Sequence, residues 1–381
     1  MGKPLNLTLK KGLQSDASTL VVYAAKDKKS GKPVSAKLAP GLQSLLDSAH
    51  KDVSFSGDKK ESLFFRRVDV EGYTNVLLVG LGVQPDGENL RVAGATTVGA
   101  LKAHKLTSAT LFGDSLLKSS RDSAAAMQAF TEGVQLATYD FDDLKTKGKK
   151  EKKPELTDLT FAFTNAPTAV LNKAVQRANI LAECQNFARW LGDSPGNYMT
   201  PTKLADSAVK AAKGTGLKVT VWDEARIKKE KFGGLMFVAQ GSDEPPRFII
   251  LEYKGAAASQ KPVCFVGKGL TFDTGGISIK PSAAMEEMKY DMCGGAAVIA
   301  TLLAIAKLKL KVNVIGLVPS TENMPGPRAS KPGDVYFGRN GKSVEVFNTD
   351  AEDRLILSDA LTYDTEQKPA VMLDVATLTG A

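Results

Sequence analysis

The length and composition of the chain exclude several classes of protein. Its 381 residues predict two or three domains, and 43% hydrophobic with 24% charged residues excludes a disordered chain. The three cysteines, Cys184, Cys264 and Cys293, are too few and too widely spaced for a disulfide framework. They favour a reducing compartment.

The net charge is +8, which raises the question of an anionic partner. Six of the lysines lie between 145 and 153 without an aromatic residue among them. This pattern favours a solvated loop over a surface that stacks bases, so nucleic acid is the least favoured partner. The two histidines, His50 and His104, lie far apart, which excludes HExxH zinc proteases and His-based triads.

The apolar runs are short, so the sequence predicts no membrane span and no membrane partner. The N-terminus lacks the apolar segment of a signal peptide. We therefore expect a cytoplasmic protein.

Strand and helix patterns alternate over residues 1–165, which predicts a smaller N-terminal α/β domain with a helix-covered sheet. The predicted strands are 20–24, 76–79, 110–112 and 159–163, and the predicted helices are 88–105 and 124–138. A long helical pattern over 167–191 predicts a connecting helix, which we place at 166–192.

The alternation resumes over residues 193–381, which predicts a larger C-terminal α/β domain with a mixed sheet. Thr200 and Pro201 begin its first helix, because Thr caps free amides and Pro fits the first turn. The other predicted elements are strands 218–222, 248–253, 263–266, 312–318 and 371–375, and helices 294–307 and 351–363.

Four acidic residues follow predicted strands or precede predicted helices in the second domain: Asp273, Asp291, Asp350 and Glu352. Ligand sites of open α/β sheets lie at such strand ends. Four carboxylates in one pocket would raise each other's pKa values, and two divalent cations would remove that conflict. The alternative is that the acids cap separate helices and pair with surface lysines. Spacing alone leaves both interpretations open.

The segments that carry these acids resemble the signature of the leucyl aminopeptidases, the M17 family of dinuclear zinc exopeptidases. The most specific mark is NTDAEDRL at 348–355, together with VGKGLTFDTGGISIKP at 266–281. The resemblance covers the chain from about 165 to its end. The first domain fits the family only by position and class.

The resemblance implies two metal positions. Lys268, Asp273, Asp291 and Glu352 would hold the tighter metal, and Asp273, Asp350 and Glu352 the more exchangeable one, with the Asp350 carbonyl. A lysine ligand must lose its proton, which a neighbouring dication favours. The expected ions are Zn²⁺ or Mn²⁺, with Mg²⁺ or Co²⁺ possible at the exchangeable position.

The resemblance also implies roles around the metals. A metal-activated water would attack the first peptide bond of a peptide substrate, Lys280 would stabilise the developing negative charge, and Arg354 would hold a bicarbonate that acts as general base. The implied substrate-binding residues are Met288, Asn348, Thr377, Leu378 and Gly380. Family members assemble as hexamers, so we expect a homo-oligomer.

Two departures from the family pattern motivate an alternative function. Asp353 stands where the family carries Gly, and its carboxylate could compete for Arg354 and repel the bicarbonate. Family members also continue beyond the position of Ala381. The alternative is therefore a non-catalytic or weakly active member that serves as a binding or structural subunit.

Overall fold

The computed structural model describes residues 3–13, 17–118, 120–146 and 155–379. Most of the lysine-rich segment, 147–153, and Gly380 lie outside the described residues. The chain divides into two units, Met1–Glu183 and Cys184–Ala381.

The first unit holds a mixed sheet of strand order β1-β7-β6-β2-β5-β4, with β3 paired to β2. The strands β4 and β5 are antiparallel, and the remaining neighbours in that order are parallel. The strands are β1 Asn6–Lys11, β2 Thr19–Lys26, β3 Pro33–Val34, β4 Ser62–Val70, β5 Tyr73–Gly80, β6 Ser108–Phe112 and β7 Asp158–Phe163. The helices are α1 Pro40–Val53, α2 Gly87–Ala103, α3 Gly113–Leu117 and α4 Ser123–Leu136.

Strand β2 shows why this sheet is covered on both faces. Its sequence TLVVYAAK is buried along almost its whole length, as expected for a central parallel strand. Tyr23 packs edge-to-face on Phe130 of α4 at 5.2 Å. Asp86 and Asp122 cap the amides at the starts of α2 and α4.

One long helix, α5 Ala169–Asp193, contains the boundary between the two units. It lies close to the predicted connecting helix. The domain limits proposed from the sequence stay predictions.

The second unit holds a mixed sheet of order β15-β10-β12-β9-β8, with β11 also paired to β12. Within this sheet, β9 is antiparallel to β12 and β8, and the other pairs are parallel. The strands β13 and β14 form a separate antiparallel pair. The strands are β8 Lys218–Trp222, β9 Arg247–Lys254, β10 Val263–Gly267, β11 Gly269–Asp273, β12 Asn313–Asn323, β13 Val335–Phe337, β14 Ser343–Glu345 and β15 Val371–Val375. Its helices are α6 Pro201–Ala212, α7 Glu224–Lys229, α8 Gly233–Ala239, α9 Cys293–Lys307 and α10 Glu352–Glu366. Two short 3₁₀ helices, Met285–Met292 and Thr349–Ala351, precede α9 and α10.

The stretch Met285–Lys307 is long and apolar enough by composition to cross a membrane, with a mean hydropathy of 1.3. It is a 3₁₀ helix followed by α9, and α9 packs against β10 and β12. Val298, Ile299 and Leu302 of α9 are buried there. The apolar composition is therefore that of a core helix. The predicted α/β fold class is confirmed, including the mixed sheet predicted for the C-terminal part; the N-terminal sheet is mixed as well.

Candidate functional site

The candidate site lies at the carboxyl ends of three parallel strands of the second unit. Lys268 follows β10, Asp273 ends β11 and Asn323 ends β12. The two 3₁₀ helices bring Asp291 and Asp350 to the same edge, and Glu352 begins α10. The sheet topology thus collects residues that lie up to 84 positions apart in the sequence.

Lys268 is the centre of one half of the site. Its side chain is only 1% exposed, and its Nζ lies 2.9 Å from Glu352 Oε1 and 2.8 Å from Asp291 Oδ2. The ammonium also donates to the Thr377 carbonyl oxygen at 2.9 Å. Three oxygens, two of them on carboxylates, therefore lie within 2.9 Å of the Lys268 ammonium.

Lys280 occupies the other half of the site. Its Nζ lies 2.8 Å from Asp273 Oδ2 and also contacts Asp350 Oδ1. Asp273 Oδ1 accepts a hydrogen bond from the Gly275 amide at 2.9 Å. Two lysines thus face four carboxylates, and with all of these groups ionised the site keeps a net negative charge.

Gly275 and Gly276 leave room for the acidic groups. Both have positive φ, at +85° and +66°, which side chains rarely adopt. A Cβ on Gly275 would lie 2.8 Å from Asp350 Oδ1, and one on Gly276 would lie 2.7 Å from Asn323 Oδ1. Any larger residue would therefore displace the carboxylate or the amide that faces the site.

Burial and mutual repulsion shift the protonation of these groups. Burial and the charge of Asp273 together raise the pKa of Glu352 to about 7. Burial also raises the pKa of Asp291. Burial alone would lower the pKa of Lys268, but the charges of Glu352 and Asp291 outweigh it and raise that pKa. The folded chain thus holds acids that need more positive charge than the two lysines supply.

Divalent cations fit this donor set. One oxygen from each of Asp273, Asp350 and Glu352 lies within 4.8 Å of the others. Asp291 Oδ2 and Asp350 Oδ1 are buried beside lysines, yet among the described residues neither accepts a well-directed hydrogen bond. Oxygen ligands with unused acceptor capacity suit Zn²⁺, Mn²⁺ or Mg²⁺.

The predicted pocket residues are only partly gathered here. Thr377 is part of the cluster, because its Oγ1 donates to Asp291 Oδ1 at 2.5 Å. Met288 is half-buried in the first 3₁₀ helix, and Leu378 is exposed. Asn348 caps the second 3₁₀ helix, with its Oδ1 accepting from the Asp350 amide at 2.9 Å. Gly380 lies outside the described residues.

Arg354 lies at the start of α10 with a side chain that is 67% exposed. In the described part of the chain, its side-chain polar contact is with Asp353, whose Oδ1 lies 3.5 Å from Arg354 Nε. The Asp353 side chain is buried, and its Oδ1 also accepts from the Arg354 amide at 2.7 Å. The competition for Arg354 expected from the sequence therefore has a geometric basis.

Two polar residues were not assigned a role from the sequence. Asn323 Nδ2 donates to Asp273 Oδ1 and to the Thr349 carbonyl oxygen, each at 2.9 Å. Thr349 Oγ1 donates to the Gly275 carbonyl oxygen at 2.7 Å and accepts from the Ser278 amide at 2.9 Å. Thr349 lies inside the 348–355 motif, whereas Asn323 lies outside both quoted motifs, and only the register of β11 and β12 shows what Asn323 contacts.

The sequence profiles of two domains match the chain. The cytosol aminopeptidase family catalytic domain matches residues 186–381, and the N-terminal domain of the same family matches residues 20–148. The first match contains all the acids and lysines of the candidate site.

Relatives and solved structures agree with these profiles. A probable cytosol aminopeptidase of Bdellovibrio bacteriovorus is 52% identical over 365 residues, which cover 95% of this chain and 72% of the relative. One of Burkholderia cenocepacia is 40% identical over 97% of this chain and 74% of the relative. The structure of the bottromycin maturation enzyme BotP in complex with Mn has a TM-score of 0.80 and 30% identity, over 96% of this chain and 73% of that one.

The predicted family is thereby confirmed, since both domain profiles match and the two relatives are 52% and 40% identical over 95% and 97% of this chain. The chain belongs to the cytosol aminopeptidase family, peptidase family M17.

Proposed function

We propose that this member of the family is a metal-dependent, leucyl-type aminopeptidase that releases N-terminal amino acids from peptides with the help of two divalent cations. One observation carries the proposal. Four carboxylates and only two lysines converge at one edge of the sheet. The proposed ligands among them are Lys268, Asp273, Asp291, Asp350 and Glu352.

The proposal assigns the ligands to two positions. Lys268, Asp273, Asp291 and Glu352 would hold one cation, and Asp273, Asp350 and Glu352 the other. Bound cations would supply Lewis acidity and lower the pKa of a water molecule. The absence of histidine from this donor set supports tolerance for Zn²⁺, Mn²⁺, Mg²⁺ or Co²⁺.

Two side chains of the chain itself would act on the substrate. In the metal-free chain, contacts with Asp273 and Asp350 raise the pKa of Lys280 despite its partial burial. Lys280 would act on the substrate as an ammonium group that stabilises negative charge on the peptide carbonyl oxygen. Arg354 is exposed enough to hold a bicarbonate, whose role as a base follows from the family resemblance. The pocket for the side chain of the substrate's N-terminal residue would be lined by Met288, Asn348, Thr377, Leu378 and Gly380.

A second candidate function rests on the contact between Asp353 and Arg354. If the Asp353 carboxylate keeps the bicarbonate away, the chain would bind metal but turn over slowly or not at all. It would then act as a binding or structural subunit. The cytoplasmic location and the homo-oligomer, a hexamer in the family, are further proposals that light scattering and cell fractionation can test.

The first experiment is hydrolysis of Leu-p-nitroanilide by the purified chain. The chain is stripped of metal and titrated with Zn²⁺ or Mn²⁺, and bound metal per chain is measured in parallel. The proposal expects turnover to return as binding approaches two ions per chain. Two bound ions without turnover would support the non-catalytic alternative. If the chain binds no metal and shows no turnover, both candidate functions are overturned.

A further inference from the structure

The register between two parallel strands places an amide beside two of the candidate metal ligands. Asn323, the last residue of β12, is the register partner of Asp273, the last residue of β11. Its side chain is buried, with the residue 3% exposed. Nδ2 lies 2.9 Å from Asp273 Oδ1 and 3.4 Å from Glu352 Oε2.

The surroundings of Asn323 fix which way its amide points. The groups around Nδ2 are all acceptors: Asp273 Oδ1, Glu352 Oε2 and the Thr349 carbonyl oxygen at 2.9 Å. Only the NH₂ group can face them, so the opposite flip is excluded. The backbone is held as well, since the Thr274 amide and hydroxyl both donate to the Asn323 carbonyl oxygen, at 2.9 and 2.8 Å.

The amide and the lysines divide the oxygens of the two carboxylates between them. Asn323 takes Asp273 Oδ1, and Lys280 takes Oδ2. On Glu352, Asn323 faces Oε2, and Lys268 takes Oε1. A lysine ammonium carries a positive charge that opposes a cation on the same carboxylate. A neutral amide carries no charge that would oppose a cation, so its hydrogen bonds can persist.

We propose that Asn323 is a positioning residue of the metal centre: its amide holds Asp273 and faces Glu352, and it thereby orients two carboxylates that would bind the cations. The inference rests on the proposed function, because it presumes that the cluster binds divalent cations. Hydrogen-bonded partners of this kind orient ligating carboxylates, and their removal costs about 10- to 100-fold in metal affinity.

The chain supplies a matched control at the other end of the same strand. Asn313 is the first residue of β12 and is also buried. Its side chain bonds only to backbone atoms among the described residues: Oδ1 accepts from the Ala256 amide, and Nδ2 donates to the Ala257 and Gln260 carbonyl oxygens. At about 3.3 Å per residue, the two ends of the strand lie roughly 30 Å apart. Asn313→Ala therefore reports the general cost of removing a buried asparagine from β12.

The test is calorimetric titration of the metal-free full chain with Mn²⁺, together with the visible absorption spectrum of the Co²⁺-loaded chain. We expect Asn323→Ala to lower the Mn²⁺ affinity by about 10- to 100-fold and to change the Co²⁺ spectrum. Asn313→Ala should lower the melting temperature but leave the affinity and the spectrum as in the wild type. Asn323→Ser, which leaves a smaller cavity, serves if the alanine variant does not fold.

The outcomes separate this inference from the proposed function. If the wild-type chain binds metal and the Asn323 variants bind it equally well with an unchanged spectrum, Asn323 is structural only and the inference is overturned. If the folded wild-type chain binds no divalent cation, both the inference and the proposed function are overturned.

Discussion

Asp353 is the second residue of α10, between the candidate ligand Glu352 and Arg354. The sequence raised the question whether this position requires the positive φ that favours glycine. It does not, because Asp353 lies in the first turn of a helix and is absent from the positive-φ residues of the described chain. An acidic residue in a first turn is favourable there. Positive-φ strain therefore gives no reason for Asp353 to affect activity, and we attribute the expected effect to its charge beside Arg354.

We predict that Asp353→Gly raises kcat of the metal-loaded chain. Removing the carboxylate frees Arg354 for an anion and removes a like charge beside it. A change of about 1 kcal/mol in this interaction corresponds to roughly a fivefold change in kcat. The measurement is hydrolysis of Leu-p-nitroanilide at saturating Mn²⁺ with and without added bicarbonate.

Asp353→Asn is the control for this substitution. It removes the charge while keeping the size of the side chain, so it should raise kcat as Asp353→Gly does. An increase for glycine alone would point to the backbone, and no increase for either would remove the competition hypothesis.

The sequence indicates those candidate residues that lie in a contiguous motif. It does not indicate contacts that depend on the register between strands. The glycine-rich run around Asp273 and the run around Glu352 show their acids directly. The role of Asn323 depends on β11 lying beside β12, with its partner 50 residues away. The contact of Thr377 with Asp291 spans 86 residues and likewise has no local signal.

At the scale of elements, the middle and the end of α10 carry two buried aspartates, Asp359 and Asp364, with opposite surroundings. Asp359 Oδ2 accepts from the Gly234 and Leu235 amides at the start of α8, and Oδ1 accepts from the Arg339 amide at 2.8 Å. Neither oxygen of Asp364 has a well-directed hydrogen bond among the described residues, although the Cys264 thiol lies beside it, and burial raises the pKa of Asp364. The Asp359 carboxylate therefore links α10 to the start of α8 and to the segment at Arg339. The burial of Asp364 contributes little to the stability of the fold.

We predict that Asp359→Ala destabilises the fold and Asp364→Ala does not. The first substitution leaves three backbone N–H groups without their acceptor and should cost about 3 kcal/mol. The second removes a buried acid whose polar neighbour is a thiol, a weak donor, so the change should stay within about 1 kcal/mol. Urea unfolding of the metal-free variants measures both. Equal losses for the two would mean that side-chain volume, not hydrogen bonding, sets the cost.

The elements that sequence reading missed have physical reasons for being hard to find. The strand β11 is short and begins with glycine, and its pairing partner β12 lies far along the chain. In β4, Arg67 and Asp69 have positive φ and the register shifts after Arg66, which breaks the alternating pattern of a strand. Strands with a continuous apolar run, such as β2, were predicted at nearly their observed positions.

At the scale of the whole molecule, the candidate metal centre belongs to one of the two units. Every proposed ligand, from Lys268 to Glu352, lies in Cys184–Ala381. A cation that binds the folded site stabilises the structure that holds the ligands, by about 2.7 kcal/mol at a metal concentration 100 times Kd. The stabilisation is expected where the ligands are anchored, in β11, the end of β12 and the start of α10.

We therefore predict that metal slows amide hydrogen exchange in one unit selectively. The full chain is compared in EDTA and in saturating Mn²⁺, and peptides covering 269–276 and 349–356 should exchange up to about 100-fold more slowly with metal. Peptides from β2 and β5 are the internal control and should not change. Equal protection in both units would show that metal acts on the folding of the entire chain. If an Asp273→Ala variant, which lacks a ligand of both proposed positions, shows the same slowing of exchange, the cation binds elsewhere.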